Sequence, residues 1–387
     1  MENLKENQNK PLSDLEIILL EKILIPKKQK KNSLRIIIYL GNSRPRGRFD
    51  FGAELLKKID REGHYIAGII VEKNDPVIVY PSLKAKKILL LPEVLTGSTV
   101  SIKDKMSRPE FKTQFDDFLK KLQSCAADVG IVFYGFWIPP EIYTIPRYGF
   151  LNYHPGPLPF LRGMEPDTFA VIEGWKKIWG TLHKVESAFD TGNIITKSKI
   201  IKIRKYDTPL SILKKLTEAG IESITGTLKY LHKHKCFRNI VLQDKGSHAT
   251  LKMAYEKSFI NWDNDSNINL DRKLRAFCGQ NINIRLKAPF NNNYYIVYDI
   301  ELFKGNFPGT PGIIIGYYTG KSKFLLQPIV RTIDGAAVLF TGNQISGDSF
   351  PEEGDYADLI IPPRKRKKET KKSLVKKSIA VFSKYLN

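Results

Sequence analysis

The stretch LRIIIYLG, residues 34–41, points to the fold class because it is an almost unbroken apolar run of strand length. A strand that is buried on both faces, as in a parallel sheet, requires such a run. The segment FGAELLKKIDREGH (51–64) follows, with apolar residues at helical spacing, and YIAGIIVEK (65–73) is a second apolar strand. This alternation predicts the strand–helix–strand unit of a doubly wound sheet.

The alternation continues further along the chain. Strands are predicted within 86–94, 127–136, 149–154 and 179–187, the last at an exposed edge, and helices within 109–125, 165–175 and 208–232. Crossovers in such an order are right-handed and cover both faces of a sheet. We therefore predict an α/β fold with a Rossmann-like, doubly wound and mostly parallel sheet.

The pattern changes after residue 240. A short helix (268–277) precedes four β-like runs that Gly, Pro and Asn turns separate, which predicts a small OB-like β-barrel. The predicted organisation is an N-terminal helical extension with a basic linker (1–33), an α/β domain (34–235), a linker (236–255), a barrel domain (256–362) and a basic tail (363–387).

Composition narrows the class of protein. The chain has 387 residues, of which 42% are hydrophobic and 26% charged, so cores for two or three domains are expected. Its three cysteines are scattered without a C-x-x-C pair, which argues against a disulfide framework or a zinc site. No signal peptide or membrane-length apolar run is recognised. We expect a soluble protein in the reducing cytoplasm, with no membrane partner.

The net charge of +22 has two interpretations. Lysine and arginine on a surface attract the phosphate backbone of nucleic acids, so contact with RNA through the basic surface is one. The other is that lysine simply decorates every solvated face, because it occurs throughout the chain. The tail RKRKKETKK (364–372) fits a solvated linker or a contact with a polyanion.

The segment FLNYHPGPLPFLRG (150–163) carries the first candidate chemistry. Asn152 and His154 share one face at the end of a predicted strand, and ligands of open α/β sheets bind beyond such ends. Asp190 follows a later strand and precedes a Thr-Gly turn. A histidine can transfer protons, an aspartate can orient or charge it, and an asparagine can donate to a developing oxyanion. Taken singly, each residue would also suit an ordinary turn.

Two other kinds of site find little support. GNSRPRG after the first strand is not the G-x-G-x-x-G of dinucleotide-binding proteins. His154, His183 and Asp190 include no local pair at metal-ligand spacing, so we predict that no metal is bound.

The combination of motifs is more informative than any one of them. In chain order they are Asn152-x-His154-Pro155, Leu158-Pro159, Arg162-Gly163, Pro166, Gly180-Thr181-x-His183 and Asp190-x-Gly192-x-Ile194. This set resembles the formyltransferases that use 10-formyltetrahydrofolate, a family with methionyl-tRNA, glycinamide ribonucleotide and amino-sugar formyltransferases. The resemblance spans roughly residues 34–340, and its later part resembles the barrel of the methionyl-tRNA and aminoarabinose enzymes.

The resemblance implies roles for particular residues in residues 34–235, the expected catalytic domain. Asn152, His154 and Asp190 would be catalytic, and 10-formyltetrahydrofolate would be the formyl donor. The donor pocket would be formed by Phe136, Trp137, Ile138, Glu186, Ser187 and Phe189. The acceptor would be bound by Gly156, Pro157, Arg162, Met164 and Glu165.

The acceptor is open at this point. Methionyl-tRNA enzymes carry a Gly/Arg/Lys-rich insertion after the second strand, which the short segment 71–94 does not resemble, and HPGPLP and RGMEPDT also depart from their pattern. The sequence therefore slightly favours a small-molecule amine, such as an amino sugar or a biosynthetic intermediate, as the partner. Aminoacyl-tRNA is the alternative, and a 10-formyltetrahydrofolate hydrolase or an inactive nucleic-acid-binding protein are further ones.

Overall fold

The computed structural model describes residues 33–41, 48–72, 88–92, 95, 108–135, 137–277, 284–290, 293–319 and 326–345. The predicted N-terminal helix and the basic tail lie outside these residues. Backbone contacts divide the described chain into two compact units. The first holds the described residues up to Pro166, Lys177–Lys202 and Ile212–His248, and the second holds Asp167–Lys176, Ile203–Ser211 and the described residues from Ala249 onward.

Strands and helices alternate through the first two thirds of the described chain. The strands are β1 (Arg35–Leu40), β2 (Tyr65–Val71), β3 (Ile88–Leu90), β4 (Val129–Phe133), β5 (Phe150–His154), β6 (Arg162–Gly163), β7 (Lys177–Ile178), β8 (Thr181–Lys184), β9 (Ile194–Lys197) and β10 (Ile201–Lys202). The helices are α1 (Arg48–Arg61), α2 (Pro109–Ser124), α3 (Pro140–Tyr143), α4 (Pro166–Ile172) and α5 (Pro209–His234).

A seven-stranded sheet forms the first unit, in the order β3-β2-β1-β4-β5-β8-β9. Strands β1 to β5 pair in parallel, whereas β8 runs antiparallel to β5 and β9 antiparallel to β8. The predicted, mostly parallel α/β sheet is thus confirmed. The prediction of an exposed edge strand within 179–187 is wrong, because the chain after Asp190 returns as β9 and covers the outer side of β8.

The core lies on both faces of this sheet, which explains the unbroken apolar run of β1. Ile36 and Ile38 belong to a cluster with the apolar residues of α1 and α5, and Ile37 and Tyr39 belong to one with those of α2. All four side chains are fully buried. Because successive side chains of a strand point to opposite faces, a strand between two helical layers must be apolar at every position.

The second unit is built largely on an antiparallel sheet. Its elements include α6 (Leu251–Lys257), α7 (Asn267–Phe277), β12 (Lys287–Phe290), β13 (Asn293–Lys304), β14 (Ile314–Thr319), β15 (Leu326–Thr332) and β16 (Gly335–Ile345), and β11 (His248–Ala249) precedes them. The sheet order is β12-β13-β16-β15-β14. The four predicted β runs are confirmed. Within the described residues β12 and β14 do not pair, so the closed OB-like barrel is not confirmed.

Among the residues that the structure describes, no helix is long and apolar enough to cross a membrane.

Candidate active site

Strand β5 presents Asn152 and His154 on one face of the sheet at its carboxyl end, as the sequence predicts. Both side chains reach the carboxylate of Asp190. Asn152 Nδ2 donates to Asp190 Oδ1 at 3.2 Å, and His154 Nδ1 lies 3.5 Å from Asp190 Oδ2. The structure therefore brings together all three residues of the predicted catalytic set, although Asp190 lies 38 residues beyond Asn152.

Asp190 lies in the turn between β8 and β9, with a left-handed backbone φ of 54°. Its Oδ2 accepts a hydrogen bond from the backbone N–H of Gly163 at 2.9 Å. Two residues on, a Cβ at Gly192 would lie 1.9 Å from the carbonyl oxygen of Lys184, so only glycine fits this turn. The Asp-x-Gly pattern thus reflects a tight turn that places the carboxylate on the face of β5.

His183 is a fourth member of the cluster. Its Nε2 lies 3.1 Å from Asn152 Nδ2 and 3.3 Å from Asp190 Oδ1, and its Nδ1 lies 2.7 Å from the carbonyl oxygen of Lys184. The sequence motif contains His183 but does not by itself indicate a role for it. The antiparallel register of β5 and β8, which sets His183 directly opposite Asn152, reveals the contact.

The surroundings of Asp190 determine its ionisation state. Burial by itself would raise the pKa of the Asp190 carboxyl, but the charge of His154, the contact with His183 and the N–H of Gly163 outweigh burial. Together they hold the pKa of Asp190 well below its usual range, so the carboxylate stays ionised. A buried carboxylate of this kind favours a protonated imidazole beside it.

The Pro-rich turn after β5 fixes the His154 ring. His154 Nε2 donates to the carbonyl oxygen of Leu161 at 2.9 Å, since a carbonyl only accepts. Gly156 packs against the same nitrogen, and a Cβ at this position would lie 2.6 Å from Nε2 and 2.7 Å from Pro166 Cβ. The Gly156 carbonyl accepts from Thr181 Oγ1 at 2.8 Å. This turn therefore allows one placement of the imidazole.

Arg162, a predicted acceptor-binding residue, contacts the protein itself. Its guanidinium donates to Gln243 Oε1 at 2.9 Å and to the carbonyl oxygen of Asp244 at 2.8 Å. Gln243 Nε2 in turn donates to the Gly192 carbonyl at 2.5 Å. Arg162 thereby connects the Pro-rich turn to the Asp190 turn through Gln243, a residue that no sequence motif indicated.

The other predicted acceptor-binding residues differ in exposure. Met164 is 50% exposed, whereas Glu165 is buried with a left-handed φ of 62°. Pro157 is buried in the turn. Exposed Met164 and buried Glu165 thus follow directly on Gly163, whose N–H contacts Asp190.

A cavity adjoins the Asp190 cluster. Its walls are Val132, Gly135, Trp137, Ile138, Asn152, His183, Val185, Glu186, Ala188, Phe189 and Asp190. The indole N–H of Trp137 donates to the Ser187 carbonyl at 3.0 Å, which ties the 186–189 segment to the wall after β4. The structure thus gathers the predicted donor-pocket residues beside the cluster, except Phe136, which lies outside the described residues.

The cavity and the cluster offer no metal site. In the described ranges no group of three or more His, Cys, Asp or Glu side chains is arranged to hold an ion. A wider cleft of about 690 Å³ lies in the second unit, with Phe259, Trp262 and Tyr294 in its walls. None of the predicted site residues lines that cleft.

Comparisons with known proteins identify the family of the chain. The family model described as Formyl transferase matches residues 53–228. The methionyl-tRNA formyltransferase of Lachnospira eligens is 30% identical over 233 residues, which cover 59% of this chain and 69% of the relative. An N-formyltransferase of Helicobacter canadensis, solved with folinic acid and dTDP-3-aminofucose, is 15% identical with a TM-score of 0.51, covering 80% of this chain and all of the other.

HypX of Aquifex aeolicus, solved with tetrahydrofolic acid, is 17% identical with a TM-score of 0.49, and the match covers 79% of this chain but only 43% of HypX. The Lachnospira relative is matched over most of its length at an identity that establishes descent. The chain therefore belongs to the 10-formyltetrahydrofolate-dependent formyltransferase family and is an enzyme that transfers formyl groups.

Proposed function

We propose that the protein is an N-formyltransferase that moves the formyl group of 10-formyltetrahydrofolate to a primary amine. The observation that carries the proposal is the ionised, buried Asp190 carboxylate, which contacts Asn152 and His154 at one end of an apolar cavity. Such a cluster supplies a fixed charge and hydrogen-bonding groups beside a place for a flat ligand. The catalytic domain in this proposal is residues 34–235.

The donor pocket in this proposal is the cavity beside β5. Trp137, Ile138 and Phe189 offer flat or apolar surface to a pterin ring, and the segment with Glu186 and Ser187 covers it. The Helicobacter relative was solved with folinic acid, a formyl-substituted folate, which supports a donor of this class. When bound, the donor supplies the formyl group on its N10 nitrogen.

His154 and Asp190 act as a charged pair in this mechanism. His154 Nε2–H is held by the Leu161 carbonyl and Nδ1–H faces Asp190, so the ring carries a positive charge. That charge stabilises the formyl oxygen as it gains negative charge during attack by the neutral amine. The attacking nitrogen gives up one proton and N10 gains one as the C–N10 bond breaks. Asn152, the third catalytic residue, orients the amine and the formyl group.

A small-molecule amine is the acceptor that we favour. The Pro-rich turn continues into Met164 and Glu165, where the sequence departs from the methionyl-tRNA enzymes. A buried acidic side chain at Glu165, two residues after Gly163, whose N–H binds Asp190, suits an amine better than a phosphate-rich chain. In this proposal Gly156, Pro157 and Arg162 shape the acceptor side of the site. We also place the enzyme in the cytoplasm, where folate donors and such amines occur together.

Methionyl-tRNA is the second candidate acceptor. Curated relatives that are 25–30% identical to this chain are methionyl-tRNA formyltransferases, and the net charge of +22 would favour a polyanion. These observations support RNA as a partner without involving the residues that line the cavity.

One experiment separates these candidates. The purified protein is incubated with 10-formyltetrahydrofolate and either methionyl-tRNA or a panel of amino sugars and biosynthetic amines, and products are scored for the mass of one added formyl group. We expect formylation in the small-amine panel. Formylated methionyl-tRNA alone would establish the second candidate, and formate release without any acceptor would identify a hydrolase. No loss of the formyl group from the donor would overturn the proposal.

A further inference from the structure

The segment 241–248, which follows α5, contacts both turns of the candidate site. At one end, Val241 and Ile194 of β9 exchange two backbone hydrogen bonds of 2.8 and 2.9 Å. At the other end, β11 pairs with β6 in the Pro-rich turn, and the backbone N–H of Arg162 donates to the Ser247 carbonyl at 2.9 Å. The segment therefore extends from the strand after the Asp190 turn to the Pro-rich turn.

Burial within this segment is the reverse of what the hydrophobic effect favours. The apolar side chains of Val241 and Leu242 are 56% and 76% exposed, whereas the polar Gln243 beside them is partly buried. Apolar side chains normally occupy the more buried positions of a chain. Polar contacts, and not the burial of apolar surface, therefore hold this part of the segment in place.

The partners of Gln243 assign the orientation of its amide. Oε1 lies 2.9 Å from Nη2 and 3.2 Å from Nε of Arg162, whose guanidinium only donates. Nε2 lies 2.5 Å from the Gly192 carbonyl oxygen, which only accepts. A rotated amide would set donor against donor at Arg162 and acceptor against acceptor at Gly192. Each end of this one amide therefore binds a different turn of the site.

The Arg162 end of the bridge lies between two residues that hold the charged pair. The carbonyl of Leu161, just before Arg162, accepts from His154 Nε2 at 2.9 Å. The N–H of Gly163, just after Arg162, donates to Asp190 Oδ2 at 2.9 Å. A shift of the Arg162 backbone would therefore move the hydrogen-bond partners of both His154 and Asp190.

The Gly192 end of the bridge lies two residues after Asp190. The backbone of Asp190 is left-handed, with a φ of 54°, a conformation that surrounding contacts must maintain in a residue other than glycine. The Gln243 amide binds the Gly192 carbonyl from the side of the 241–248 segment. Movement of this turn would change the distance of 3.5 Å between Asp190 Oδ2 and His154 Nδ1.

We propose that Gln243 is a positioning residue for formyl transfer: its amide fixes the Pro-rich turn against the Asp190 turn and thereby sets the contact of His154 with Asp190. This inference rests on the proposed function. Gln243 is not among the residues that form the walls of the cavity, so it acts through Arg162 and Gly192. Small displacements of a charged pair beside the reacting atoms lower the rate strongly, which is why the bridge affects catalysis.

The first test needs no activity assay. In nitrogen-15-labelled full-length protein, the backbone amide resonance of Gly163 should shift in Gln243→Met and in Gln243→Glu, and its hydrogen should exchange faster with D2O, because its bond to Asp190 loosens. The amide of Gly130, which donates to the Gly149 carbonyl inside the parallel sheet, should stay unchanged. An unmoved Gly163 amide in both variants would overturn the inference even if formyl transfer is never observed.

The second test is kinetic and uses the two ends of the amide. Glutamate at position 243 keeps an acceptor for Arg162 but replaces the donor to Gly192 by a second oxygen, and methionine removes both contacts at similar length. We expect both variants to lower kcat about 10- to 100-fold with little change in the KM for 10-formyltetrahydrofolate. Gln114→Glu, at an exposed position of α2, introduces the same charge as a control and should keep wild-type kcat. Wild-type kcat in Gln243→Glu would overturn the inference, because the contact with Gly192 would then be dispensable.

A double variant separates positioning from a general loss of structure. If Gln243 acts through the charged pair, then Gln243→Met should cause little further loss of kcat in an Asp190→Asn background. A full additional loss would assign Gln243 a merely structural role and overturn the inference. Absence of formyl transfer in the wild type would instead refute the proposed function, and the Gly163 amide would still decide the role of Gln243. Thermal unfolding checks that each variant folds, and Gln243→Glu, which keeps the Arg162 contact, carries the test if Gln243→Met does not.

Discussion

The first unit contains two histidine pairs, one near each end of the strands of one sheet, and they differ in what surrounds them. At the carboxyl end of β5, the ring nitrogens of His154 and His183 all lie near an oxygen or nitrogen partner around Asp190. At the start of β2, His64 faces His232 with ring centroids 5.6 Å apart. There both nitrogens of His64 and Nδ1 of His232 lack a hydrogen-bond partner among the described residues.

The two groups differ in the charge that their surroundings favour on a histidine ring. Burial lowers the pKa of His64, and the nearby His232 lowers it further, against a smaller opposing effect of Glu62. The ring therefore stays neutral. At the carboxyl end of β5 the ionised Asp190 favours a charged imidazole at His154. The proposed site is therefore distinguished by a carboxylate at the carboxyl end of the parallel strands, where ligands of such sheets bind, and not by the presence of histidine.

The largest difference in kcat between the two histidine groups is expected when the proposed catalytic side chains are removed. We expect Asn152→Ala and His154→Ala each to lower kcat by about 10²- to 10³-fold, because each removes a fixed polar group beside the reacting atoms. Steady-state formyl transfer measures this, with thermal unfolding to confirm the fold. His64→Phe, at the start of β2, is the matched control and should keep near-wild-type kcat. Near-normal turnover in either alanine variant would contradict the assignment.

A smaller but still large effect is expected from a methyl group beside His154. In Gly156→Ala the new Cβ would lie 2.6 Å from His154 Nε2, so the ring or the turn must move. We expect about 1–3 kcal/mol lower stability from overpacking and about a 10²-fold lower kcat from the displaced imidazole. Urea unfolding and formyl-transfer kinetics measure the two effects.

Gly226→Ala provides the matched control for that prediction. Gly226 lies inside α5, and a Cβ there would meet no atom within 4 Å. Alanine should therefore raise helix stability by up to about 1 kcal/mol and leave kcat unchanged. If the two glycine variants behaved alike, the close contact at Gly156 would not explain the result.

Acid should weaken the fold through the Asp190 cluster. The folded-state pKa of Asp190 lies below the ordinary value of 3.8, so the unfolded chain binds more protons in the window below that value. The stabilisation is complete above pH 3.8 and is lost progressively as the pH falls toward the folded-state pKa. Urea unfolding from pH 7 to pH 3 should show the wild type losing more stability than Asp190→Asn. Parallel curves would contradict the stabilising role of the ionised carboxylate.

The smallest effect on stability is expected from His64 and lies in a different pH window. The folded-state pKa of His64 is below the ordinary value of 6.5, so protonation favours the unfolded chain as the pH falls below 6.5. The unfolding free energy of the wild type should therefore drop below that pH, and His64→Phe should flatten the drop. His248→Gln, which alters an exposed histidine, should keep the wild-type slope. An unchanged slope in His64→Phe would show that this pair does not titrate as proposed.

Local patterns in the sequence were sufficient for most elements of the fold. Unbroken apolar runs identified β1, β2, β4 and β5, and helical spacing identified α1, α2 and α5, because each pattern reports burial of a whole segment. The exposed-edge prediction for 179–187 failed because the partner on the outer side of β8 comes from a later segment. Closure of the second unit's sheet stays a prediction for the same reason, since pairing between distant strands leaves no local pattern.

The candidate site divides in the same way. Asn152, His154 and Asp190 were recognisable from the sequence, because strand ends, the Asp-x-Gly turn and the order of motifs are all visible as local sequence patterns. His183 and Gln243 acquired their contacts only in three dimensions. The antiparallel register of β8 against β5 sets His183 opposite Asn152, and Gln243 meets Arg162 and Gly192 from a distant part of the chain. The sequence by itself thus determined which groups are proposed to be catalytic, whereas the tertiary structure decided how they are oriented, because orientation depends on atoms that are neighbours in space alone.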